Sequence, residues 1–135
     1  TAALSAPRLP RGDAMEPPTA AELGLSSAQA RQWDALRAET LALRRIGRDE
    51  LQSGLLELRS LLDQRAPDLR AFSEESQHMV DAHMAEARAL RERQLDLYES
   101  LSADEKARVR AAMAQRIDRL SRLRERLAGF IAAKA

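Results

Sequence analysis

Apolar side chains recur along this chain at steps of three and four, which is the signature of amphipathic α-helix rather than strand. The longest uninterrupted stretch runs from Asp68 to Leu101, with no glycine or proline inside it and Pro67 standing just before it. Leu69, Phe72, Ser76, Met79, Val80, His83, Ala87, Leu90, Leu97, Tyr98 and Leu101 fall on one side of that helix. At 1.5 Å per residue such a helix is about 51 Å long, more than the roughly 30 Å width of a compact domain of this size. The expectation is an elongated molecule in which a second copy helps to cover the stripe.

Three further helices are predicted around it. Trp33, Leu36, Thr40 and Leu43 form one stripe, and Leu51, Leu55, Leu58 and Leu62 resume it beyond Gly47. These read as two helices, Ser27–Ile46 and Arg48–Gln64, or as one helix bent at Gly47. Arg65-Ala66-Pro67 forms a tight corner, because the residue before proline is driven out of the α region. Val109, Met113, Ile117, Leu120, Leu123, Leu127 and Phe130 define the last helix. Residues 1–22 hold four of the five prolines and show no apolar period, and they are expected to form a flexible N-terminal arm ahead of a single helical domain over 23–135. The predicted fold class is all-α: an elongated four-helix hooked hairpin with one long central helix, paired as an antiparallel dimer.

Two helix starts share one pattern. Leu25-Ser26-Ser27-Ala28-Gln29 and Leu101-Ser102-Ala103-Asp104-Glu105 both read Leu-Ser-x-x-Gln/Glu, and an apolar residue follows at the same spacing, Trp33 and Val109. Each is a capping box, in which a serine caps the helix and the Gln or Glu three residues later reaches back. The residues expected to matter here, Ser26, Gln29, Ser102 and Glu105, are structural caps rather than catalysts.

The twin pattern resembles the LTxxQ family of bacterial periplasmic proteins, the Spy/CpxP-like chaperones with their metal-linked relatives. Serine stands for threonine in both copies and glutamate for glutamine in the second. The context is also similar, since the second copy directly follows a long helix ending in Gln94-Leu95-Asp96-Leu97-Tyr98-Glu99-Ser100. The resemblance covers about Leu23 to Leu127. It implies a curved all-α hairpin that forms a homodimer in the periplasm, behind a removed signal peptide or an N-terminal anchor. It further implies an ATP-independent chaperone or envelope-stress adaptor for unfolded or misfolded proteins, or one acting with a membrane sensor protein.

Composition narrows the chemistry. With no cysteine in the sequence, thiol catalysis, disulfides and thiolate zinc sites are excluded. No run of about 18 apolar residues is present to span a membrane. The formal net charge of +1 argues against wholesale nucleic-acid binding. Charge is unevenly placed, however: Pro67–Leu101 carries four arginines against eight acids, whereas the chain from Ser102 onward carries nine bases against four acids. One reading is that neighbouring helices complement each other. The other is a basic strip facing a client, on which Arg116, Arg119 and Arg122 recur at steps of three.

No phosphate loop, catalytic triad or cofactor motif is present, and no enzyme activity or cofactor is expected. The alternative to a chaperone is a metal-binding protein or heavy-metal sensor. The two histidines, His78 and His83, are five residues apart and point to different sides of one helix. His83 has Met79 and Glu86 at helical spacing. Joined by ligands from elsewhere, such a set suits nickel, cobalt, copper or zinc. The plainer reading makes His83 a packed stripe residue and His78 a solvated one.

Overall fold

A computed structural model describes residues 16–134 of the chain. Within them the order is α1 (Ala20–Leu23), α2 (Ser27–Leu62), α3 (Leu69–Ser100) and α4 (Ala103–Lys134), with no strand. The protein is all-α, as its periodicity requires. Among the described residues no helix is long and apolar enough to cross a membrane. The chain divides into two compact units, one built from the residues up to Arg31 together with those from Leu101 onward, the other from Gln32–Ser100.

The Gln32–Ser100 unit is a helical hairpin. Thr40 Oγ1 accepts from Gln94 Nε2 at 2.8 Å, and Arg93 pairs with Glu39 at 2.7 Å. Gly47 lies beside His83, so residue numbers rise on α2 as they fall on α3. Of the two readings at Gly47, the single helix holds: α2 runs through it as one helix of 36 residues. A helical glycine costs only about 1 kcal/mol relative to alanine, which a long packed helix absorbs. The reason for glycine is tertiary. A Cβ at position 47 would lie 2.9 Å from His83 Cε1, so the imidazole occupies the space a side chain would need. At the corner Asp68 sits just outside α3 as its cap, its Oδ1 accepting the Ala71 N–H at 3.0 Å. Leu90 and Leu97 are the buried apolar side chains of this unit.

In the other unit, α1 packs on α4. Of the expected N-terminal arm, residues 1–15 lie outside the described residues, but 16–22 do not form a loose tether. Pro18 is fully buried, and Ala20 and Leu23 are each only 2% exposed. Thr19 Oγ1 accepts the Glu22 N–H at 3.3 Å and caps α1. Gly24 ends it at φ 62°, ψ 39°, where a side chain is strained. The Leu25 N–H returns to Ala20 O and the Gly24 N–H to Ala21 O, the paired bonds of a Schellman cap. Leu101 and Val109 complete the apolar core of the unit.

Candidate functional site

Three places hold chemistry worth weighing: the junction of the two caps, the basic face of α4, and the groove between α2 and α3.

At the junction, the second capping box forms as its spacing predicts. Ser102 Oγ accepts the Glu105 N–H at 3.2 Å, and Glu105 Oε1 accepts the Ser102 N–H at 3.0 Å. The first box does not close locally. The Ser26 N–H donates to Glu105 Oε2 at 3.1 Å, so Glu105 takes the role the sequence assigns to Gln29. One carboxylate thereby joins the two motif copies, 79 residues apart. Glu105 is 8% exposed. The Ser102 N–H, then the Ser26 N–H, hold its carboxyl below the usual range. The Ser102 hydroxyl and the nearby Arg108 charge add to this, against partial desolvation.

Arg108 was not singled out by pattern. Its Nε donates to Leu23 O at 2.6 Å and its Nη2 to Gly24 O at 3.0 Å. A cation at the carbonyl end of a helix is favourable. The signals for the segment it holds were local ones: Thr19 and Glu22 are three residues apart, and Gly24 stands just past the helix end.

The junction gives a graded expectation for two serines. Ser102→Ala removes a side-chain acceptor and should lower stability by about 1 kcal/mol. Ser26→Ala leaves intact the backbone N–H that Glu105 uses, and should lose less than half as much. Urea midpoints of the two variants measure the difference.

On α4, the expected trio separates. Arg119 and Arg122 are exposed. Arg116 is held instead, with only 15% of its side chain exposed. Its Nε donates to Glu16 O at 2.8 Å, its Nη1 to Ala112 O at 3.3 Å, and its Nη2 reaches Glu22 Oε2 at 3.4 Å. It fastens the segment before α2 and is not available to a client. Met113, Ile117, Leu120 and Ile131 are exposed on the same helix, Ile117 by 61% and Ile131 by 67%.

In the hairpin, the metal alternative finds no assembled ligand set. His78, Met79 and Glu86 are exposed, and His83 is half-buried against Gly47. Among the described residues no group of three or more His, Asp or Glu side chains stands together as a metal site. What does lie here is a long apolar groove of about 740 Å³, with Leu51, Leu55 and Leu58 on one wall and Phe72, Met79 and Val80 on the other.

No family model, curated protein or solved structure matches the chain.

Proposed function

We propose that the chain is an ATP-independent chaperone or envelope-stress adaptor of the periplasm, acting as a homodimer on unfolded or misfolded proteins. The observation that carries this reading is the exposed surface of α4: Met113, Ile117, Leu120 and Ile131 form an exposed apolar stripe, and Arg119 and Arg122 are exposed on other sides of the same helix. An unfolding chain offers apolar side chains and a mixture of charges. Such a helix offers apolar contact along one stripe without a shaped pocket, plus positive charge elsewhere on its surface that speeds encounter. The compartment is taken from the LTxxQ resemblance.

The test is aggregation of an acidic, thermally unfolding client without nucleotide, followed by light scattering. Near-stoichiometric protein should slow aggregation, and added salt should weaken the effect as it screens exposed charge. Arg119→Glu with Arg122→Glu should remove most of the protection. Arg116→Glu should act differently, by loosening the N-terminal segment and lowering the unfolding midpoint. If several unrelated clients aggregate unhindered at twofold excess, general chaperoning is wrong.

A further inference from the structure

The second half of α4 carries an apolar sector that is open to solvent. Among the described residues, Arg116 makes the last hydrogen bonds from α4 to another segment, to Glu16 and Glu22. From Ile117 to Lys134 the helix runs on for about 27 Å. Ile117, Leu120 and Ile131 are exposed there, and Leu123, Leu127 and Phe130, half-buried, continue the same sector. This half carries five bases against two acids.

The charges are sorted around the sector. On a helix of 3.6 residues per turn, Arg124 stands about 40° round from Leu120, in line with Ile117 and Ile131. Arg119 and Arg126 stand about 100° and 120° round the other way, beyond Leu123 and Phe130. All three arginines are exposed, and none pairs with an acid among the described residues. Asp118 and Glu125, the acids of this half, lie about 160° and 140° round from Leu120, facing away from the sector.

That order suits a flat, negatively charged surface. A helix lying in a lipid surface sinks its apolar sector below the headgroups. Its margins then lie near the phosphates, and its opposite side stays in water. Arginines at the margins lay their stems on apolar surface while their guanidinium groups meet phosphate. The acids are held farthest from the negative layer. An unfolded polypeptide imposes no such order of charge around a helix. Among the described residues no helix is long and apolar enough to cross a membrane, so this one lies along the surface. We infer that the Ile117–Lys134 half of α4 is a lipid-docking helix, and that its partner is a membrane leaflet rich in anionic phospholipid.

This inference goes beyond the proposed function and does not depend on it. Its test is flotation of the full chain with vesicles of equal parts phosphatidylglycerol and phosphatidylcholine, beside vesicles of phosphatidylcholine alone. The chain should float with the anionic vesicles, and added salt should release it. Arg119→Glu with Arg126→Glu should lower partitioning roughly tenfold or more. Ile117→Glu with Ile131→Glu should abolish flotation. These four side chains are exposed, so helical circular dichroism and the unfolding midpoint should stay native in both variants. The sequence has no cysteine, so a single introduced one can carry an environment-sensitive fluorophore. On Ile117→Cys its emission should shift to the blue with anionic vesicles, and on Asp118→Cys it should not. Anionic vesicles that leave the chain unbound, equal flotation with both vesicles, or an equal shift at both labelled positions overturns the inference. None of these outcomes bears on client capture, which the aggregation assay reads without lipid.

Discussion

Leu23→Ala should be among the most damaging single substitutions in the chain, lowering stability by about 2–5 kcal/mol. Leu23 is the last residue of α1 and only 2% exposed. Removing its isopropyl group leaves a cavity in a unit with few other buried side chains. A loss of that size is a large part of the roughly 5–15 kcal/mol that holds a domain folded. The thermal midpoint should fall by about 6–20 °C for a chain of this length. Amide exchange adds a local readout. The Gly24 and Leu25 N–H groups donate to Ala21 O and Ala20 O, and they should lose protection ahead of the helix interiors. Leu56→Ala is the control: Leu56 is 67% exposed, and its replacement should change stability by less than about 0.5 kcal/mol. Equal losses from the two would mean that the segment before α2 is not part of the core.

The helices were legible because their stripes are long. For α3 the expected span Asp68–Leu101 and the observed Leu69–Ser100 differ by one residue at each end; at the first, Asp68 spends its carboxylate on the Ala71 N–H and stays outside the first turn. What the pattern misread is instructive in each case. Gly47 left both a break and a single bent helix open because glycine is a poor helix former, but its cause is the imidazole of a residue 36 positions away. The prolines before Thr19 looked like a loose arm, yet Pro18 is among the most buried residues. Proline composition describes backbone freedom, not what the ring packs against.

The candidate site was legible to a similar depth. Ser102 and Glu105 form their box because both partners lie within one turn. Gln29 is bypassed because Glu105, though distant in sequence, brings a charged acceptor to the Ser26 N–H. Charge-assisted hydrogen bonds are the stronger kind, and no local spacing rule reveals them. Arg116 failed as a client residue for the same reason. A strip at steps of three predicts a shared helix face, but not which members of the strip another segment takes up. Arg116 serves Glu16 and Glu22, while Arg119 and Arg122 remain exposed.

Glu105→Gln should destabilise the protein more than Ser102→Ala does, and the difference should depend on pH. The native carboxylate accepts from two backbone donors, Ser102 N–H on Oε1 and Ser26 N–H on Oε2. An amide of the same shape offers one oxygen and turns an NH₂ toward the other donor, so one of the two bonds becomes a clash of donors. The donors also fix the sign of the pH effect. They favour the ionised form, so the folded-state pKa lies below the ordinary 4.5. A group whose pKa is lowered on folding stabilises the fold above its unfolded value, and that contribution disappears as pH falls through the folded value. Neutral pH should therefore show the full gap between native and Glu105→Gln midpoints. The gap should begin to close below about pH 4.5 and narrow further with acid, because native Glu105 then becomes neutral as well. Denaturant titrations at pH 7 and across the acid range measure it. A gap that is constant with pH would mean that the carboxylate charge does not join the two caps.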